Sequence, residues 1–526
     1  MPASITLNDL SYATPGNHEL FNKLNLTFNR QKTGLIGRNG VGKSTLFKLI
    51  MGELAPNSGS VSVAGTAGIL RQSTQLDAAT VADQLGIASD LARLFRLEAG
   101  AGTLEDAAHA DWTLPDRMAS AIRQMGLPDM TPNRPIANLS GGQRTRLALA
   151  ALVLAQPDFV LLDEPTNNMD ADGRDIVTRF LMDWRGGAIV ISHDRALLGL
   201  MDAIVELTSI GCSSYGGNWD QYAAQKALEL AAHQHDLDTA ERQLSAIDRK
   251  RQVQAERQDR KNREGAKRAK RGGAPKILLG GLKERAENTS ADHARLADKQ
   301  RGAAIDDLQA ARDQIEVLTP LTVSLNTTAL PLGRTVVTCT RLTGGTAPDV
   351  PLIHDLSFSM TGPERVGITG PNGVGKSTLL RLLTGELRPQ SGSARIHCTY
   401  ALLDQTASLL DPDLSIRDNF RALNPDGDEN VCRAALARFM FRAGAALQTV
   451  KTLSGGELLR AALAATIGGT RPPELLILDE PTNHLDIYAI QAVEAGLSAY
   501  DGAILVVSHD PAFLENIGVT REITLT

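Results

Sequence analysis

Two short stretches of this chain set glycines, a lysine and a hydroxyl in the order that grips a row of phosphates. They are Gly37-Arg38-Asn39-Gly40-Val41-Gly42-Lys43-Ser44 and Gly370-Pro371-Asn372-Gly373-Val374-Gly375-Lys376-Ser377. Polyphosphate carries several negative charges, and successive backbone N–H groups at a helix N-terminus answer them where glycines let the backbone come close. Lys43 and Lys376 add a point charge for the β- and γ-phosphates, and the hydroxyls of Ser44 and Ser377 suit a magnesium ligand. The candidate nucleotide-binding set runs on through Thr45 and Thr378. Further along each copy, an apolar run ends in two acids, Asp163-Glu164 and Asp479-Glu480. The aspartates are placed to hold magnesium, directly or through water, and the glutamates to polarise an attacking water. A lone glycine-rich loop could be an unrelated turn. Two loops, each followed by its acidic strand, read as a pair of nucleotide-hydrolysing sites.

The elements that must carry these residues follow from the repeat. Lys43 and Lys376 lie 333 residues apart, as do Gln72 and Gln405, whereas Ser140 and Ser454 are separated by 314 and His193 and His509 by 316. The first copy therefore holds 19 more residues between Gln72 and Ser140, and two fewer just afterwards. The extra segment, around Ala88 to Pro115, reads as a surface elaboration of a helical subdomain. In each copy a strand (Thr33 to Ile36 in the first) leads into the loop, a helix leaves it, and a short continuous apolar run reads as a strand covered on both faces. The fold class expected is α/β, with two phosphate-loop ATPase domains in tandem.

Composition narrows the class further. A length of 526 residues with 42% apolar content accommodates two cores and a connector. Ser4 to Asn8 alternates like a strand with no charged-then-apolar leader before it, and the apolar run Leu147 to Ala155 falls well short of the roughly 20 residues a bilayer span requires. Cys212, Cys339, Cys398 and Cys432 have neither CxxC spacing nor a disulfide pattern, which fits reduced thiols in a cytoplasmic protein. The net charge is −6, but residues 248 to 271 hold eleven Lys or Arg against four acids, a local +7 that leaves −13 elsewhere.

A second phosphate-seeking helix start recurs at Leu139-Ser140-Gly141-Gly142-Gln143 and Leu453-Ser454-Gly455-Gly456-Glu457. With Gln72 and Gln405, and with His193 and His509 after apolar strands, these stretches resemble the ATP-binding cassette family over nearly all of both halves. In that family the signature of one domain completes the site whose phosphate loop lies in the other. The resemblance implies one site from Lys43, Asp163, Glu164 and His193 with Ser454, and another from Lys376, Asp479, Glu480 and His509 with Ser140. Gln72 and Gln405 join Ser44, Asp163, Ser377 and Asp479 as expected magnesium ligands, and the histidines join the glutamates in catalysis. ATP and Mg2+ are the implied cofactors. ATP would bind the halves together and hydrolysis would part them, within a monomer. Two departures make the sites unequal: Tyr12 stands where the family stacks a ring on adenine but Thr343 to Thr346 offers none, and Thr166-Asn167-Asn168-Met169-Asp170 differs from the more usual Thr482-Asn483-His484-Leu485-Asp486.

Between the halves, about 218 to 320, the composition shifts to Ala, Gln, Arg, Lys, Glu and Asp, the mix of long helices. Residues 221 to 263 and about Leu282 to Val317 read as an antiparallel helical hairpin. Its tip, near 265 to 281, carries Lys267, Arg268, Lys270, Arg271 and Lys276, then the apolar Ile277, Leu278 and Leu279. A plain solvated spacer would mix its charges; a basic excess gathered toward one end suits a phosphate backbone. The tandem arrangement, the hairpin and Tyr215-Gly216-Gly217-Asn218-Trp219-Asp220-Gln221-Tyr222 at its start resemble the ABC-F proteins. That resemblance implies domains at 1–217 and 321–526. It implies binding to the ribosome at the exit site for transfer RNA, with the linker contacting ribosomal RNA and peptidyl-tRNA near the peptidyl-transferase centre. The outcome would be regulation or rescue of translation, or displacement of an antibiotic. A DNA-repair ATPase would carry its coil inside a cassette rather than between two, and the fused ATPase subunit of a transporter seldom needs a hundred-residue basic connector. Nothing in the residues alone excludes DNA as the partner.

Overall fold

Two parallel sheets, one per copy, hold the phosphate loops at their strand ends. A computed structural model of the chain describes residues 3–72, 79–167, 169–208, 211–270, 299, 301–303, 305, 325–346, 351–441, 443–483 and 485–526. In the first cassette the sheet runs Ala67–Leu70, Phe159–Asp163, Gly187–Ile191, Lys32–Ile36, Ala203–Thr208, Gly211–Gly216, parallel except for the last pair. The second repeats it as Tyr400–Leu403, Leu475–Asp479, Ala503–Val507, Arg365–Thr369, Arg521–Thr524, all parallel. Every residue of Phe159–Asp163 and Gly187–Ile191 is buried, because helices cover both faces of a parallel sheet.

A three-stranded antiparallel sheet flanks each, in the order Glu19–Phe28, Ser4–Ala13, Ser58–Ala64 and then Ile353–Thr361, Thr335–Gly344, Ser391–Ile396. The alternation read at Ser4 to Asn8 points Ile5 and Leu7 into a core shared with Phe28, Leu46, Phe47 and Phe159. The helices Lys43–Ile50 and Lys376–Leu383 are held between the sheets by such residues. Glycine-led helices Gly141–Ala155 and Gly455–Ile467 follow the other subdomain helices in the chain, the second packed on Ile416–Leu423 and Glu429–Arg438. The extra segment of the first copy forms helices Ala88–Glu98 and Leu104–Ala108 and leads into Leu114–Gln124, with Leu104 and Trp112 exposed.

Spatially the chain divides into Met1–Tyr222 with Leu321–Thr526, and Ala223–Pro320. Both cassettes thus belong to one unit. The connector opens as a continuous helix, Trp219–Lys270, of 52 residues, about 78 Å at 1.5 Å per residue. Asn218 and Gln221 fix its start by exchanging side-chain-to-amide bonds at 3.2 and 3.3 Å. The break expected at Gly265 does not occur: the helix runs five residues further, since one glycine costs about 1 kcal/mol and Ala266 to Lys270 are all strong helix formers. In the returning segment, Lys299, Arg301 to Ala303 and Ile305 are helical, and Arg301 Nε donates to Asp248 Oδ1 at 2.8 Å, which sets the two stretches side by side. Arg271, Lys276, Ile277, Leu278, Leu279 and most of the expected return helix lie outside the described residues, as do the side chains of Lys267, Arg268 and Lys270.

Candidate functional site

Each phosphate loop is built by backbone that only glycine tolerates. Gly37 has φ 153° and Gly370 φ 141°, and a Cβ on either would stand 2.3 or 2.5 Å from the carbonyl oxygen of Leu207 or Leu525. Gly42 and Gly375, both left-handed, cap the two helices without a side-chain bond, so the first-turn N–H groups face the loop. Lys43 Nζ donates to the carbonyls of Gly37 (2.6 Å) and Arg38 (3.1 Å), and Lys376 Nζ to those of Gly370 (3.0 Å) and Pro371 (3.1 Å). Burial lowers the pKa of both ammonium groups, opposed by the carboxylates around them.

Ser44 is hydrogen-bonded to Asp163, and Ser377 to Asp479. Burial raises the pKa of both aspartates. Asp479 Oδ1 is buried with no hydrogen-bond partner, as expected of an acceptor that a cation completes. An Asp–Ser pair with phosphate oxygens suits magnesium, which keeps part of its water shell. Among the described residues no larger group of His, Cys, Asp or Glu is gathered.

Next to the aspartates, Glu164 and Glu480 adopt φ 50° and 49°, a left-handed backbone that non-glycine residues reach only when their surroundings impose it. Here the neighbouring strand imposes it, through bonds from Glu164 N to Ile191 O and from Glu480 N to Val507 O, each 2.9 Å. His193 Nε2 lies 2.8 Å from Glu164 Oε1, and His509 Nε2 lies 3.3 Å from Glu480 Oε1, the latter poorly aligned for a hydrogen bond. Burial pushes Glu480 up to about 7; burial, then the cations Lys376 and Arg174, push His509 down to about 4. A carboxyl titrating near neutrality is suited to general-base work.

The loops also meet the opposite cassette. Asn39 N donates to Asp486 Oδ2 at 2.8 Å, and Asn372 N to Asp170 Oδ2 at 3.3 Å. These reciprocal bonds place the chain after each acidic strand against the phosphate loop of the other copy. Arg174 adds a link, reaching Asp194 Oδ2 at 3.2 Å while its charge acts on Glu480 and His509. Arg195 and Glu494 form a two-pronged pair across the same boundary at 2.7 and 2.9 Å. Asp170 and Asp486 stand at the same place in both copies, each six residues past Glu164 or Glu480, so the repeat itself carried a signal for them. Arg174, Arg195 and Glu494 carried none, since their partners are far away in sequence.

The family model described as ABC transporter matches residues 21–167 and 353–483. The tylosin resistance ATP-binding protein TlrC of Streptomyces fradiae is 33% identical, over 91% of this chain and 90% of its own. The chain belongs to the ABC-F family of ATP-binding cassette proteins. A second relative of this ABC-F protein, the energy-dependent translational throttle protein EttA of Mycobacterium tuberculosis, is 31% identical over 92% of this chain and 84% of its own. Among solved structures, one titled RNase-L Inhibitor aligns over 98% of this chain and 87% of its own at 18% identity, with a TM-score of 0.59. At that identity it speaks for the tandem fold alone. This ABC-F protein binds ATP and is an ATPase. Among its described residues, no helix is long and apolar enough to cross a membrane.

Its remaining candidate residues are placed as follows. Ser140 and Ser454 cap their helices in reciprocal boxes with Gln143 and Glu457, and nothing lies within 4 Å of where a Cβ would stand on Gly141 or Gly142. Gln72 and Gln405 follow strands Ala67–Leu70 and Tyr400–Leu403 and are exposed. Tyr12 is half-buried and packs against the core that also takes Phe21. Asn168 and His484, where the two copies differ, lie outside the described residues.

Proposed function

We propose that this ABC-F protein binds the ribosome while ATP holds its cassettes together, presents the connector to RNA, and leaves when ATP is hydrolysed. The observation that carries the reading is the 52-residue helix beginning at Trp219, whose last stretch takes most of the +7 of residues 248 to 271. A helix of that length is a reach, and clustered Lys and Arg suit phosphate backbones. Support comes from relatives whose names connect them with translational throttling and tylosin resistance.

In this reading Lys43, Asp163, Glu164 and His193 would act with Ser454, Gly455, Gly456 and Glu457, and Lys376, Asp479, Glu480 and His509 with Ser140, Gly141, Gly142 and Gln143. Asp163 with Ser44 and Gln72, and Asp479 with Ser377 and Gln405, would hold magnesium, which when bound neutralises phosphate charge. Glu164 and Glu480 would orient and deprotonate the attacking water, with His193 holding the Glu164 carboxylate and His509 standing beside that of Glu480. Lys267, Arg268, Lys270, Arg271, Lys276 and Ile277 to Leu279 would face ribosomal RNA and peptidyl-tRNA near the peptidyl-transferase centre. Displacement of a bound antibiotic is one outcome such a placement can have, and the tylosin resistance relative favours it.

The Glu164→Gln, Glu480→Gln double variant tests the reading. Loss of a general base costs about 10² to 10⁴ in rate, so ATP binding should persist while hydrolysis falls by that order. The variant should then cosediment with ribosomes in ATP, and finding it free of them under those conditions would overturn the proposal.

A further inference from the structure

Four side chains from three separate parts of the chain run from the first phosphate loop to the first turn of the connector helix. Inside the loop, the guanidinium of Arg38 lies over the ring of Tyr488, 5.9 Å from its centroid. Tyr488 belongs to the second cassette, two residues past the Asp486 that accepts from Asn39. Its hydroxyl donates to Glu206, a carboxylate only 1% exposed in the first cassette's strand Ala203–Thr208. Tyr222, in the first turn of the connector helix, is hydrogen-bonded with both Tyr488 and Glu206. Its ring meets Tyr215 edge-on at 5.0 Å and Trp219 at 5.3 Å.

A buried carboxylate requires donors, and Glu206 takes them from both cassettes and from the connector: Tyr488, Tyr222, and Tyr215 at 3.4 Å. Movement of Tyr488 with the second cassette therefore changes what Glu206 and Tyr222 can bond. A second contact backs the first. Arg195, paired across the boundary with Glu494, also lies over the ring of Trp219 at 5.9 Å. At the matching offsets of 333 and 316 residues the other copy has Pro371, the exposed Asp172 and the exposed Glu522, so the arrangement is one-sided.

We propose that Arg38, Tyr488, Glu206 and Tyr222 form a relay through which closure at the first phosphate loop reaches the first turn of the connector helix. The relay rests on the reading that ATP draws the cassettes together. Tyr488, Glu206 and Tyr222 are positioning residues in it.

Hydrogen exchange on the full chain carrying Glu164→Gln and Glu480→Gln, with and without ATP and magnesium, separates the two ideas. Amides of residues 37–44 report closure, and those of 219–226 report the connector root. ATP should slow exchange at both. Adding Tyr222→Phe, which leaves the ring packing and removes one hydroxyl, should keep the slowing at 37–44. The ATP-dependent slowing at 219–226 should fall roughly fivefold, the equilibrium worth of one net hydrogen bond. Glu206→Gln, which retains an acceptor, should fall between the two. If Tyr222→Phe raises exchange at the root equally with and without ATP, the residue is merely structural and the relay is wrong. It is equally wrong if ATP slows 37–44 but never 219–226. Absence of ATP-dependent slowing at 37–44 in the parent protein would instead sink the closure reading.

Discussion

Gly37 and Gly141 are glycines for different reasons, and substitution tells them apart. At Gly37 the backbone is left-handed and a Cβ would meet the Leu207 carbonyl at 2.3 Å. Gly37→Ala should cost about 2 kcal/mol or more in denaturant unfolding, since alanine is strained at positive φ and its neighbour here is backbone. Gly141 is the first residue of its helix and has open space around it. Gly141→Ala should leave stability unchanged or raise it by up to about 1 kcal/mol, yet lower ATP turnover, because the added methyl stands where a phosphate would approach. Equal losses of stability in the two variants would remove the case that Gly141 is kept small for a ligand. Glu164 and Glu480 carry a related cost in their left-handed backbone, and both copies accept it at the residue that follows Asp163 or Asp479.

Among the elements, the helices of the extra segment show how an insertion is stabilised with little core of its own. Asp106 is the third residue after the cap Thr103 and closes a reciprocal box with it. The Arg96 guanidinium, bonded to Asp106 Oδ1 at 2.5 Å, and then the Thr103 amide hold its carboxyl well below the usual carboxylate range. A depressed folded-state pKa contributes stability that is complete above the unfolded value of about 3.9 and is lost as pH falls toward the folded one. Exchange protection across residues 88–108 should therefore decline on acidification below about pH 4, and Asp106→Asn should start lower and respond less. An unaltered pH response in that variant would place the titration elsewhere. The connector helix shows the opposite case to the insertion. Its N-terminus is fixed by the Asn218–Gln221 box, and its length comes from propensity, which is why Gly265 does not stop it.

At the scale of the whole molecule, the cassettes are joined by pairs that neither could satisfy alone. Arg195 and Glu494 are each about a tenth exposed, and Asn516 also donates to Glu494 at 3.1 Å. Removing one partner of a buried pair leaves an uncompensated charge and costs about 3–5 kcal/mol. Arg195→Met should thus weaken the joined cassettes markedly in thermal unfolding. Arg195→Met with Glu494→Leu should recover most of the loss, since well-packed apolar residues often replace a buried pair at little cost. A double variant as weak as the single one would show that shape rather than charge holds this part of the boundary.

By itself the sequence determined the two phosphate loops, their acidic strands, the capped glycine-led helices, the repeat and the helical start of the connector. Each is made by contiguous residues whose backbone geometry and period are local: glycines for positive φ, apolar runs for covered strands, Ser with Gln or Glu three residues later for a cap. Only the tertiary structure decided what completes them. Asn39 meets Asp486 447 positions away, Arg195 meets Glu494 299 away, and Glu206 meets Tyr488 282 away. No spacing rule reaches across such separations. Asp170 and Asp486 left a trace because the repeat writes them twice. The Arg38–Tyr488–Glu206–Tyr222 set exists once, and an arrangement without a second copy becomes visible only when the two cassettes are folded against each other.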